Sequence, residues 1–318
     1  MKKENCIVAQ SGGPTAAINA SLAGVIDGVR KSGSFTRIHG ITGVLENNMM
    51  DMSLMALSHF PMLNTLELTP AMYLGSCRYK LPDYTEDPAP YKQIFERFEE
   101  YGISAFFYIG GNDSMDTVLK LSNYAKSIQS DVKIIGVPKT IDNDLFATDH
   151  TPGFGSAAKY VASTVLEIAH DAYIYKIPAV IIIEIMGRDA GWLTASSALA
   201  RTTYSQAPDL IYLPEVAFSK EQFLADVKDK LTKQKTVIVA VSEGIHDADG
   251  NYISSDSAVA DKFGHAQLSG AGKALEYLVR DEIGVKVRSI ELNVLQRCAG
   301  HIASRTDITE SFSLGQAA

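Results

Sequence analysis

The chain is poor in cysteine. Its 318 residues include only Cys6, Cys77 and Cys298. They are widely spaced and odd in number, so neither a disulfide framework nor a thiolate metal site is implied. Such usage fits a reducing cytoplasm. Positive charge is also scarce. The net charge is −8 and the isoelectric point about 5.4, which argues against nucleic acid as the main partner, since a basic face is expected for one. An anionic small substrate stays open, because a local arginine cluster can outweigh a negative surround. No stretch approaches the roughly 20 apolar residues of a membrane span. The apolar run behind the two N-terminal lysines is too short for the core of a secretion signal. The seven histidines (39, 59, 150, 170, 246, 265 and 301) show no paired metal-ligand spacing and read as structural or surface groups. No Gly-x-Gly-x-x-Gly comes after the first strand, which sets a nucleotide-dependent dehydrogenase aside. Internal repeats and low-complexity tracts are lacking.

What is present is apolar and alternating. Apolar residues make up 46% of the chain, ample for packed cores, and its length suits two domains better than one. Cys6–Ala9 reads as a strand that ends in Ser11-Gly12-Gly13. Pro14 is expected at the first position of a helix over Ala16–Val29. Strand and helix patterns then alternate: strand Ala105–Ile109, helix Ser114–Ser127, strand Lys133–Val137, helix Ser156–Tyr175 and strand Ala179–Met186. They go on with helix Ala190–Ala200, strand Leu210–Leu213, helix Lys220–Leu231, strand Thr236–Val241, helix Ala271–Asp281 and strand Val285–Leu292. Repeated βα units predict an α/β fold with doubly wound, mostly parallel sheets. Residues 42–90 are irregular and read as short helices and loops. Glu184 is an oddity, a carboxylate inside an apolar strand. Trp192 is expected to pack a helix. Thr306-Asp307 with Glu310 resembles a capping box that starts a last helix.

Two short stretches carry the chemistry. Gly110-Gly111-Asn112-Asp113-Ser114 and Pro138-Lys139-Thr140-Ile141-Asp142-Asn143-Asp144 each come directly after a strand, and open α/β sheets bind ligands at the C-terminal ends of their strands. The first has glycines that let backbone approach a phosphate, with a serine near the start of a helix. The second gathers a cation, a hydroxyl and two carboxylates. Phosphoryl transfer needs a base for the acceptor, oxygen ligands for Mg²⁺ and positive charge for the moving group. Taken alone, the Gly12-Gly13 turn also reads as an ordinary tight βα turn, and Asp142 as an aspartate that caps a helix or turn.

These two stretches resemble the phosphofructokinase family, specifically its pyrophosphate-dependent branch. Gln10-Ser11-Gly12-Gly13, Met186-Gly187-Arg188 and Ser242-Glu243-Gly244 agree in order and spacing, and Gln296-Arg297 agrees in part. The resemblance runs from about residue 5 to the end. It implies two Rossmann-like lobes with the active site in the cleft between them: a phosphoryl-donor lobe over 1–155, to which part of 297–318 returns, and a sugar-phosphate lobe over 156–296. It implies Mg²⁺-dependent transfer from pyrophosphate to the 1-hydroxyl of fructose 6-phosphate by a cytoplasmic homo-oligomer, dimer or tetramer. Asp142 would be the base, with Thr140 and Lys139 beside the moving phosphoryl. Gly12, Gly13, Arg78, Lys80, Gly111, Asp113 and Ser114 would bind the donor. Met186, Gly187, Arg188, Glu243, Arg288 and Arg297 would bind the sugar phosphate, Arg288 from a neighbouring subunit in family tetramers. Asp113, Asp144 and Asn112 would serve the metal.

The departures matter as much. ATP-using members place glycine where this chain has Asp113, and commonly where it has Lys139; an aspartate there should repel a nucleotide and still admit pyrophosphate. Asn112 stands where the family more often has a charged metal ligand. The usual histidine between Arg288 and Arg297 is Val294 here, and the arginine ahead of the Met-Gly-Arg strand is Ala179. Family relatives run on beyond Ala318, so the chain is expected to be C-terminally truncated. An ATP-dependent phosphofructokinase is the nearest alternative, and a non-catalytic, ligand-binding or regulatory member is the alternative of another class.

Overall fold

Apolar runs become buried strands, and the glycine-rich breaks between them become turns. The computed structural model describes residues 4–41, 45–46, 49–50, 54–57, 63–76, 79–253 and 270–318. The first elements are β1 (Glu4–Gln10), α1 (Ile18–Ser32), β2 (Phe35–Ile41), an antiparallel pair of short strands, β3 (Leu45–Glu46) and β4 (Met49–Met50), and β5 (Leu54–Ala56). Next come α2 (Leu63–Leu68), α3 (Ala89–Glu100), β6 (Ile103–Gly110), α4 (Asn112–Ser127), β7 (Lys133–Pro138) and α5 (Phe154–Tyr173). The rest is β8 (Ala179–Ile185), α6 (Trp192–Ser196), β9 (Leu210–Tyr212), α7 (Lys220–Lys233), β10 (Thr236–Ser242), α8 (Ala271–Glu282), β11 (Lys286–Glu291), α9 (Leu295–Cys298) and α10 (Arg305–Ala317). The chain divides into two units, Met1–Thr140 with His150–Gly155 and Ala303–Ala318, and Ile141–Asp149 with Ser156–Ile302.

The first unit holds a sheet in the order β5-β2-β1-β6-β7, parallel except at β5. Side chains alternate across a strand. Cys6 and Val8 therefore pack with Ile18, Leu22 and Ile26 of α1, while Ile7 and Ala9 pack with Tyr91, Ile94 and Phe98 of α3 and Leu121 of α4. Helices cover both faces, as a buried parallel sheet requires. The last helix, α10, returns to this unit and lies hard against α1. A Cβ on Gly24 would come 2.0 Å from the Phe312 carbonyl oxygen, and one on Gly315 equally close to that of Ser21. Only glycine permits such a crossing.

The second unit holds a parallel sheet in the order β11-β8-β10-β9. Its core joins Val180 and Ile182 of β8, Val237, Val239 and Val241 of β10, and Phe223, Val227, Leu275 and Val279 from α7 and α8. No helix among the described residues is long and apolar enough to cross a membrane.

Several local expectations need correction. Pro14 is not a first helical residue, because α1 starts only at Ile18. The helix expected over 190–200 breaks into α6 and a 3₁₀ turn over Ser197–Ala200. Trp192 does not bury itself against a helix: it is 56% exposed. The last helix is capped by Ser304, not Thr306, and the Ser304 Oγ accepts the Asp307 N–H. The irregular 42–90 region contributes an antiparallel edge strand, β5, to the first sheet.

Candidate active site

In the first unit, three turns meet at the C-terminal ends of β1, β6 and β7. Gln10 ends β1 buried, and its side chain anchors neighbouring backbone. Gln10 Nε2 donates to Asn19 Oδ1 at 3.0 Å, Gln10 Oε1 accepts the Leu74 N–H at 2.9 Å, and Asn19 Oδ1 accepts the Tyr73 N–H at 3.0 Å. This buried network ties the 72–76 loop to the end of the first strand. Ser76 then donates its hydroxyl to the Gly12 carbonyl at 2.6 Å. Gly12 adopts φ +78°, the left-handed region that favours glycine, and a Cβ there would lie 3.2 Å from the Lys139 ammonium.

Lys139 is the centre of this cluster. It is only 3% exposed. Its Nζ donates to the Gly13 carbonyl at 2.7 Å, and its N–H donates to the Gly110 carbonyl at 2.9 Å. The Ser114 hydroxyl, also buried, hydrogen-bonds the Ser11 hydroxyl and so joins the two glycine turns. A Cβ on Gly110 would fall 2.3 Å from the Ser114 Cβ. Gly12, Gly13, Gly111, Ser114 and Lys139 are thus one constellation. Asn112 and Asp113 lie beside this cluster in a more open setting. They open α4, with Gly111 at its N-cap, and both are exposed. Asp113 thereby puts a negative charge at the positive end of a helix dipole. Lys80 is exposed on the loop after residue 76, and Arg78 lies outside the described residues.

In the second unit, the loops after β8 and β10 interlock. Glu243 Oε1 accepts the N–H groups of Gly187 and Arg188, each at 3.3 Å, while the Glu243 N–H donates to the Ile185 carbonyl at 2.9 Å. Gly187 has φ +145° and Arg188 φ +49°, so the Met186-Gly187-Arg188 turn is held in a conformation that ordinary residues avoid. Gly244 lies so close to Arg188 that a Cβ would come 1.7 Å from its carbonyl oxygen. Burial pushes the Glu243 carboxyl up to about 7, against the pull of its two N–H donors, with the Asp142 charge adding to the rise. Asp142 is half-buried, Asn143 buried at φ +58°, and Asp144 exposed. Residues that sequence reasoning did not single out support the same turn. Glu215 accepts the Gly191 N–H at 2.6 Å, and the Tyr252 hydroxyl donates to Asp189 at 3.1 Å. Glu184 now has a structural reason: it accepts the Gly270 and Gly272 N–H groups at 3.1 and 2.7 Å, at the start of α8.

The two arginines expected at the sugar phosphate separate. Arg297 sits half-buried in α9, just beyond the C-terminal end of β11. Arg288 is exposed on the edge strand β11, in register with Ile181 of β8. At ~3.3 Å per residue, about 16 Å of strand separates Ile181 from Met186. Arg288 is therefore remote from Glu243 of its own chain.

Residues 5–318 match the family described as Phosphofructokinase. The chain belongs to the phosphofructokinase family. It is 43% identical over 322 residues to the pyrophosphate–fructose 6-phosphate 1-phosphotransferase of Xanthomonas campestris pv. campestris, covering 100% of this chain and 76% of that protein. It is 38% identical over 325 residues to the enzyme of the same description from Halomonas elongata, covering 100% and 77%. The crystal structure of a pyrophosphate-dependent phosphofructokinase from Nitrosospira multiformis matches with a TM-score of 0.85 at 37% identity, over 99% of this chain and 75% of that one.

Proposed function

We infer that this chain is a phosphotransferase that moves a phosphoryl group from pyrophosphate to the 1-hydroxyl of fructose 6-phosphate, giving fructose 1,6-bisphosphate and phosphate. The observation that carries this is the pairing of Lys139, buried in the Gly12–Gly13 and Gly110–Gly111 cradle, with Asp113 at the start of α4. The cradle offers backbone and an ammonium to a small polyphosphate. The aspartate opposes the extra phosphate of a nucleotide.

In this reading Asp142 takes the proton of the sugar 1-hydroxyl while that oxygen bonds to phosphorus. The bond from phosphorus to the bridging oxygen of pyrophosphate breaks, and phosphate leaves with the electron pair. Positioning does most of this work when the transition state is loose. Lys139 offsets charge on the moving group, and Thr140 orients it. Glu243 accepts hydrogen bonds from sugar hydroxyls, with Met186, Gly187 and Arg188 beside it, and Arg297 grips the 6-phosphate through a guanidinium fork.

Mg²⁺ belongs to the same proposal. Among the described residues no group of three or more His, Cys, Asp or Glu gathers to hold a metal ion. The neighbouring Asn112 and Asp113 at the start of α4 offer a thin oxygen set, and Asp144 is proposed as a further ligand. That suits a cation that keeps its waters and takes substrate phosphate oxygens with one or two carboxylates. When bound it would neutralise phosphate charge. We also place the enzyme in the cytoplasm as a dimer or tetramer; the remote, exposed Arg288 supports a role toward a neighbouring copy.

Initial rates with fructose 6-phosphate and either pyrophosphate or ATP test the reading. Fructose 1,6-bisphosphate should form with pyrophosphate. Turnover with ATP alone would overturn the donor, and none with either would overturn the activity.

A further inference from the structure

Thr140 is held from behind by the segment from Thr151 to Gly153. Its N–H donates to the Pro152 carbonyl at 3.0 Å, and the Thr151 hydroxyl donates to the Thr140 carbonyl at 2.7 Å. Thr140 and Gly153 pair as a parallel bridge. Gly153 is itself wedged. It adopts φ +107°, and a Cβ would come 2.7 Å from Thr15 Cγ2, so its backbone presses on the turn after β1. On its other side, its N–H donates to Asp307 Oδ1 at 2.8 Å.

Asp307 is 6% exposed, in the first turn of α10. A buried carboxylate needs hydrogen-bond donors, and an N–H bonded to a charged acceptor is held more firmly than one bonded to a carbonyl. The helix carrying it is rigidly placed, through the glycine crossing with α1 and through Gln316 Nε2, which donates to Asp27 at 2.5 Å. A second contact, between the His150 ring and Glu310, ties the same segment to α10, but both groups are exposed. All of these residues lie in the first unit.

We propose that Asp307 is a positioning residue for the reactive loop: its carboxylate fixes Gly153, and Gly153 fixes Thr140 and with it the backbone from which Lys139 and Asp142 depart. The proposal rests on the catalytic roles inferred for Lys139, Thr140 and Asp142. Asp307 itself touches neither substrate in that scheme. Its loss leaves the Gly153 N–H without its acceptor and frees the segment to shift, and a displacement near 1 Å lowers turnover roughly 100-fold.

The test uses the full chain with Asp307→Ala, Asp307→Asn, Ile308→Ala and Glu310→Ala. Asp307→Ala should lower kcat by about 10- to 100-fold and leave KM for fructose 6-phosphate within about threefold. Asp307→Asn keeps an acceptor oxygen and should restore most of kcat. Ile308 packs against Ala17 and Ala20, so Ile308→Ala should lower the melting temperature without lowering kcat. Glu310→Ala should change neither by much, since exposed pairs contribute little. Amide hydrogen exchange, read without substrate, should accelerate at Gly153 and Thr140 in Asp307→Ala. Unchanged protection there, failure of the asparagine to restore kcat, or an equal kcat loss in Ile308→Ala at matched stability would each overturn the proposal. If the wild type makes no fructose 1,6-bisphosphate from pyrophosphate, the functional reading fails, and the exchange result still decides whether Asp307 holds Thr140.

Discussion

Replacing Gly244 with alanine would place a methyl carbon 1.7 Å from the Arg188 carbonyl oxygen and 2.5 Å from the carbonyl carbon. Ordinary Cβ contact begins at 3.4 Å, so the two loops must part by about 1.7 Å. Both sides of the clash are backbone, and no side-chain rotation relieves it. The Glu243 carboxylate accepts the Gly187 and Arg188 N–H groups at 3.3 Å. A parting of that size carries both beyond hydrogen-bonding distance. Misplacement near 1 Å costs roughly 100-fold in rate. The groups displaced are those proposed to hold the sugar, so Gly244→Ala should lower kcat/KM for fructose 6-phosphate by about that factor, much of it in KM. KM for pyrophosphate should stay within about threefold, since its cradle belongs to the first unit. A pH series adds a second readout. Burial sets the Glu243 carboxyl at about 7, and the two N–H bonds hold it below where burial alone would put it. Losing them should move the pH at which sugar affinity rises to a higher value. Initial rates with each substrate varied in turn, repeated across pH, measure both effects. A wild-type KM for fructose 6-phosphate with an unshifted pH profile would refute the interlock.

Asp142→Ser should cut turnover by about 100- to 10,000-fold with sugar binding largely kept, because the base acts on a proton in flight; a loss under about tenfold in single-turnover rates would remove Asp142 from that role. Asp113→Gly, best combined with Lys139→Gly, should raise kcat/KM for ATP by at least about tenfold. Two anions ~4 Å apart at an effective dielectric near 20 repel by roughly 4 kcal/mol before screening. Variants that still exclude ATP would move donor choice to other residues. Glu243→Gln should change the pH dependence of stability. The folded carboxyl titrates at about 7 against an ordinary 4.5, so the stability its neutral form contributes is full below the lower value and lost as pH rises through the upper one. The glutamine variant should match the wild type at acidic pH and gain on it above neutrality, by roughly 3 to 4 kcal/mol at most, at ~1.4 kcal/mol per tenfold change in proton affinity. Denaturant unfolding at both ends of that range checks it, and a pH-independent difference would contradict the burial of the charge.

Much of this protein was legible in its residues because the information is local. A strand that alternates Cys6 and Val8 with Ile7 and Ala9 between two helix-covered faces declares itself through period and apolarity. So do the buried runs of β8 and β10. The turns at Gly12, Gly110–Gly111, Gly187 and Gly244 were marked by glycine at strand ends, where backbone must bend sharply or approach closely. Chemistry-bearing residues packed into one heptapeptide, Pro138 to Asp144, needed no fold to be noticed. Other features depend on partners that sequence distance hides. The bond from Lys139 to the Gly13 carbonyl spans 126 positions, and that from Gly153 to Asp307 spans 154. The purpose of Glu184 became clear only when α8 arrived with two N–H groups to cap. Trp192 stays exposed although it opens α6, because periodicity does not say which neighbour is present to cover a face. Local pattern decides which element forms and where it turns; packing decides which side chain, brought from far along the chain, satisfies the polar groups those turns leave open.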